Sequence, residues 1–176
     1  MRSLFASAAL AALLVACSPP AQLEAEAPSA PPPQVPACND VAPDLARMVS
    51  IASEEAVAEA ASDLRGGAIA PGVYDLTRAV RVGQATGWQG ARAVALEVSE
   101  DAGGAVTFNW AGAAAGGEVD RWTATFNDSG EHPIITYTCG RMGDVAAEST
   151  AAQNALTLRV PDGANGSLHL EFARRG

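Results

Sequence analysis

Ala91-Arg92-Ala93-Val94-Ala95-Leu96-Glu97-Val98-Ser99-Glu100 and, after Asp101-Ala102-Gly103-Gly104, the stretch Val106-Thr107-Phe108-Asn109-Trp110 set the period of the folded part of this chain. Val94, Leu96 and Val98 share one face of the first segment, and Val106, Phe108 and Trp110 one face of the second. Side chains of extended backbone alternate between two sides, so a period of two marks a strand with one buried face. Asp and Gly in between tolerate the backbone of a tight turn. The two segments read as a hairpin.

The alternation continues in both directions. Upstream, Tyr74, Leu76, Val80 and Val82 lie opposite Asp75, Thr77 and Arg81. Downstream come Trp122, Ala124 and Phe126, then Ile135, Tyr137 and Cys139, then Val145 and Ala147. Leu156, Leu158 and Val160 follow, and last Leu168, Leu170 and Phe172. Gly-, Asp- and Asn-rich breaks separate the segments, which makes eight strands. Eight antiparallel strands with one apolar face must curl that face inward. This predicts a mainly β domain over 67–176, a small eight-stranded antiparallel up-and-down barrel, with a β-sandwich as the alternative. Closure also removes the exposed edges of an open sheet.

By alternation the interior receives Tyr74, Phe108, Trp110, Trp122, Phe126, Tyr137 and Phe172. Arg78 falls on the same face, either as an inward charge or turned outward by a bulge. A barrel of this size is filled by side chains or holds one small ligand. Trp88 lies in the Gly83–Gly90 loop, outside any core periodicity. It is a candidate interaction residue, or a ring folded back over the barrel mouth.

All 17 Gly follow Leu64. Before it, Leu45, Met48, Val49, Ala52, Ala56, Val57, Ala60 and Leu64 recur at three- and four-residue steps. That spacing predicts one amphipathic helix over about 43–65, opened by Pro43 and Asp44 and stopped by Gly66-Gly67. Glu55, Glu59 and Asp63 form a solvated acidic face of it.

The chain starts with Met1-Arg2 and an apolar run from Leu4 to Val15. A spanning helix needs roughly 20 apolar residues, so residues 1–16 read as a cleaved signal segment. Its end, Leu14-Val15-Ala16-Cys17, resembles the lipobox of bacterial lipoproteins. The resemblance implies acylation of Cys17, a membrane partner, and a place in the bacterial envelope facing the periplasm. Ser18 after the Cys favours the outer membrane. Residues 17–37 hold seven of the eleven Pro and no Gly, the composition of an extended spacer. At about 3.1 Å per residue the spacer reaches roughly 60 Å. The layout is thus signal 1–16, lipidated tether 17–37, N-terminal segment 38–66 and β domain 67–176.

At domain level, Gly72-Val73-Tyr74-Asp75-Leu76-Thr77 resembles the opening strand of a group of uncharacterised bacterial lipoproteins. A small barrel behind a signal is also similar to lipocalin-like domains and to small periplasmic inhibitors of proteases or lysozyme. No functional residue carries over from these resemblances.

Besides Cys17 the chain has Cys38 and Cys139. In an oxidising compartment such a pair reads as a disulfide. A reactive thiol or metal pair needs a nearby His or Cys that neither position has. Every one of the 11 basic residues is Arg, which rules out Lys chemistry, and 20 acidic residues give a net charge of −9. That charge argues against nucleic acid as a partner.

Catalytic groups are sparse. His132 and His169 are the two His, and no Gly-x-Ser-x-Gly elbow occurs. Glu118, Asp120 and Glu131 are the candidate carboxylates, with nothing to pair them. Asn127–Glu131 and Asp162–Gly166 cluster oxygens as calcium loops do, but the hairpin-turn reading is preferred, since Asn, Asp and Gly tolerate φ > 0 and neither loop has EF-hand spacing. The sequence therefore points to no enzyme, no cofactor and no metal site. It predicts a lipid-anchored envelope binding module, with a periplasmic protein meeting the loop around Trp88. The alternatives are a small apolar ligand inside a lipocalin-like barrel and a purely structural envelope lipoprotein.

Overall fold

Ten strands follow one another along the chain: β1 (Val49–Glu54), β2 (Gly72–Gly83), β3 (Ala91–Glu100), β4 (Val106–Ala114), β5 (Val119–Asn127), β6 (Ile134–Cys139), β7 (Asp144–Ala146), β8 (Glu148–Ala152), β9 (Ala155–Pro161) and β10 (Gly166–Arg174). The structure is a computed structural model that describes residues 37–54, 64, 66–128 and 133–176. The expected signal segment, Cys17 and the tether up to residue 36 lie outside these residues.

The strands form one mixed sheet in the order β7-β6-β5-β4-β3-β1-β2-β10-β9-β8. Hairpin neighbours β3–β4, β4–β5, β5–β6, β6–β7, β8–β9 and β9–β10 pair antiparallel, as the short breaks predict. β2 pairs with β10, which joins the first and last of the eight expected strands. Alternate side chains of these strands meet in one core cluster, including Leu76, Leu96, Phe108, Ala124, Ile135, Leu156 and Phe172. One face of a single sheet can do this only by curling on itself, so the architecture is barrel-like.

It departs from the expected barrel in two ways. No ladder among the described residues links β7 to β8 or β9, so the sheet is not closed there. β1 and β8 are additional strands. β8 pairs with β9 and is bridged on its other edge by Gly66. β1 runs parallel to β2, from Ile51 opposite Ala79 to Glu54 opposite Val82, and antiparallel to β3 at Val49 and Ser50. It is wedged between the ends of β2 and β3, whose direct pairing runs from Gly72↔Val98 to Asp75↔Ala95.

β1 also corrects the helix expected over 43–65. Residues 45–46 are a turn and 49–54 a strand, while 55–63 and 65 lie outside the described residues. Leu45, the first residue of the supposed apolar stripe, is 60% exposed. Val49 and Ile51 pack on the core with a period of two. These β-branched residues gain more from the pleated gap between β2 and β3 than the helical spacing promised.

Two bulges change which residues face the core. In β2, Leu76 pairs with Phe172 and Arg78 with Glu171, leaving Thr77 as an extra residue. Arg78 is thereby turned outward and ion-pairs with Glu171 at 2.6 Å, so it does not belong to the interior. Ala79 joins the core in its place, and Val80 shares the outer face with His169 across the ladder. His169, on the outer face of β10, is buried. In β6, Tyr137 pairs with Ala124 and Cys139 with Thr123, so Cys139 faces away from the core.

That turn lets Cys139 bond Cys38 on the outer face, with a Cα–Cα distance of 5.6 Å. From Cys38 the chain crosses the sheet as a strap. Asn39 Nδ2 donates to the carbonyls of Trp110 (3.2 Å) and Trp122 (2.9 Å), and the Arg121 guanidinium donates to the Val41 carbonyl. Val41 packs on the small side chains of Ala95 and Ala111. At the far end Arg175 grips buried Asp75 with two bonds, of 2.6 and 2.8 Å, and also reaches the Ala42 carbonyl. The hydrogen bond to Asp75 raises the Arg175 pKa above its ordinary value.

Candidate functional site

The interior is not uniform along its length. Tyr74, Phe108 and Phe126 fill one part: Phe108 and Phe126 stack at 4.9 Å, and the Tyr74 hydroxyl donates to the Ala70 carbonyl at 2.6 Å. At the other end, near the β2–β3, β6–β7 and β9–β10 loops, Trp88, Trp110, Trp122 and Tyr137 gather around a cavity of about 50 Å³. Leu158, Leu168 and Leu170 give it an aliphatic wall, and Arg141 borders it.

Strand register builds this cluster. Trp110 of β4 lies directly opposite Trp122 of β5, and the rings stack at 5.2 Å with 11° between their planes. Tyr137 meets Trp122 edge-on at 5.2 Å. Gly112, two residues past Trp110 on the same face, leaves the indole its room: a Cβ there would sit 2.9 Å from Trp110 Nε1. The Arg141 guanidinium lies over the Trp122 and Tyr137 rings at 5.8 and 5.9 Å and pairs with Asp120 at 2.9 Å.

Trp88 closes the end. It is 7% exposed and its ring lies 5.6 Å from that of Trp110, so it is folded back over the mouth and is not an exposed contact residue. Its loop has no regular structure but is held across the opening. Gly87 N–H donates to the Asp162 carboxylate at 2.5 Å, and Gln84 N–H to the Asn165 carbonyl at 3.1 Å. Asp162–Gly166, whose oxygens also suited calcium, thus serves as a turn and a latch.

Two arginines face inward at this same end. Arg92 alternates with Val94 and Leu96 on β3, and its guanidinium lies 5.4 Å from the centre of the Trp88 ring. Arg81 follows Ala79 onto the core face after the Thr77 bulge and donates to Ser53 Oγ at 2.8 Å. Four buried N–H groups have no hydrogen-bond acceptor among the described residues: Trp110 Nε1, Trp122 Nε1, Arg92 Nε and Arg81 Nε. A buried donor without a partner is destabilising by about 1–3 kcal/mol, and folded proteins keep few of them. All four are donors, as indole and guanidinium nitrogens must be.

Trp110, Trp122 and Tyr137, expected inside by alternation, pack in or against the core cluster and line this cavity. Sequence reasoning missed Arg92, although the even-numbered pattern that selects Val94 and Leu96 includes it. Arg81 could not be found that way, because the bulge reverses the parity. Of the candidate carboxylates, Asp120 holds Arg141; Glu131 and His132 lie outside the described residues. No group of three or more His, Cys, Asp or Glu among the described residues could hold a metal ion.

Fold and site together define a mainly β, barrel-like domain with one disulfide and an aromatic cavity at one end. No protein-family model matches the chain, and no curated protein does. Among solved structures it is similar to a de novo designed fluorescence-activating β-barrel, at 10% identity and a TM-score of 0.43, over 68% of this chain and 100% of that one.

Proposed function

We propose that this chain is a lipid-anchored, non-enzymatic envelope binding module that takes a small molecule into the tryptophan-lined end of its barrel-like sheet. The observation that carries the reading is the pair of indole N–H groups on Trp110 and Trp122. Their residues are 3% and 5% exposed and line the cavity of about 50 Å³, and neither N–H has an acceptor among the described residues. In this reading the eight expected strands act as an up-and-down barrel, with β1 and β8 as additions. Cys17 provides the acyl anchor, and the Pro-rich tether sets the distance from the membrane. Burial of Trp88 moves the ligand from the loop to the interior.

The test is a titration of the full chain with the amphipathic anionic probe 1-anilinonaphthalene-8-sulfonate while indole emission is recorded. Occupation of the cavity quenches Trp110 and Trp122, and a W110F/W122F variant loses the quench. Binding without quenching, or no binding, overturns the reading.

A further inference from the structure

We infer that the interior site takes a planar aromatic anion, and that Trp88 occupies the ring position until such a ligand displaces it. The inference rests on the interior-binding reading above and adds the ligand class and the gate.

Charge is the first argument. The chain carries 20 acidic against 11 basic residues, yet Arg81 and Arg92 both face the interior at this end. Two indole and two guanidinium N–H groups here have no acceptor among the described residues. Their complement is a group that only accepts and carries negative charge, such as a carboxylate or sulfonate. Neither arginine has a carboxylate within ion-pair distance among the described residues, so an anion entering this end meets an unpaired cation.

Shape is the second. The Trp88 ring meets Trp110 at a tilt of 46°, with 5.6 Å between ring centres, and the Arg92 guanidinium lies over it. Aromatic contact and cation are what a flat, electron-rich ring needs. The residual cavity of about 50 Å³ has room for a few waters and not for a ring. A ring-bearing ligand therefore takes the place of Trp88. The ring can leave because its loop is irregular and is held through Gly87–Asp162 and Gln84–Asn165.

The experiment compares 2-naphthoate with uncharged 2-naphthamide, which has the same ring, by calorimetry and indole quenching on the full chain. Removing the competing ring in W88A should tighten 2-naphthoate at least tenfold over the parent chain. D162N, which keeps Trp88 and weakens the latch, should tighten it several-fold. The preference for naphthoate over naphthamide should exceed tenfold in W88A and fall to near unity when R92Q is added. Equal affinity for both compounds in W88A would overturn the anion class while leaving interior binding intact. Binding of neither compound by W88A and D162N would overturn both. Equal naphthoate affinity in parent, W88A and D162N would overturn the gate. Should W88A fail to fold, as judged by near-UV circular dichroism, D162N alone decides.

Discussion

Gly112 shows how far a single missing side chain shapes the cavity. Because its backbone is bare, the Trp110 indole lies over it and stays parallel to Trp122. A methyl group at this position has Trp110 Nε1 at 2.9 Å and a Val94 methyl at 3.6 Å. Overpacking of this kind destabilises by about 1–3 kcal/mol. Gly112→Ala is expected to lower stability by that amount in a urea melt and to weaken the near-UV circular dichroism of the stacked pair. If the spectrum is unchanged, the ring does not depend on that space. Trp88 is another residue whose setting decides its role. Local sequence says that it lies in a Gly-rich loop; its burial comes from Trp110 and Arg92, on other strands.

At the scale of elements, the strap from Cys38 to Ala42 ties β6, β5 and β2 together across the outer face. A disulfide closing a sequence separation of 101 constrains the unfolded chain strongly. The chain-entropy model gives about 4.7 kcal/mol for a loop of ~100 residues. Replacing Cys38 and Cys139 by Ser should lower unfolding stability by several kcal/mol. It should also raise hydrogen exchange at Arg121, Trp122 and Thr123, beside which the strap lies. Exchange that rises uniformly would argue against local anchoring. The strands themselves were legible in the sequence, because Val94-x-Leu96-x-Val98 and its counterparts state a period directly. β1 was not: Met48, Val49 and Ala52 satisfy a helical spacing, and the slot between β2 and β3 that favours extended Val49 and Ile51 is a tertiary feature. β8 escaped because buried Ser149 breaks the apolar pattern. Of the cavity, the aromatic half could be read from alternation. The cationic half could not be read in full, since an inward Arg81 needs the Thr77 bulge and Arg92 looks like an ordinary surface charge until the Trp88 ring lies beneath it.

For the whole molecule, the anchored reading yields its own expectation. Cys17→Ser should move the protein from the membrane fraction to the soluble fraction of a bacterial host, with ligand binding unchanged, as judged by fractionation and immunoblotting. Persistence in the membrane fraction would remove acylation as the anchor. The disulfide has a mechanical consequence as well. Tension applied between residue 37 and Gly176 passes from Cys38 straight to Cys139, by-passing everything between them. While the bond is intact, the chain that can be drawn out runs from 139 to 176, an extension of roughly 130 Å at full stretch. Once it is reduced, the chain from 38 onward contributes and the extension grows to roughly 470 Å. A single molecule held in optical tweezers should show this difference on addition of a reductant. A domain pulled by its tether thus keeps β1 to β5, with Trp88, Trp110 and Trp122, inside a loop that tension cannot lengthen.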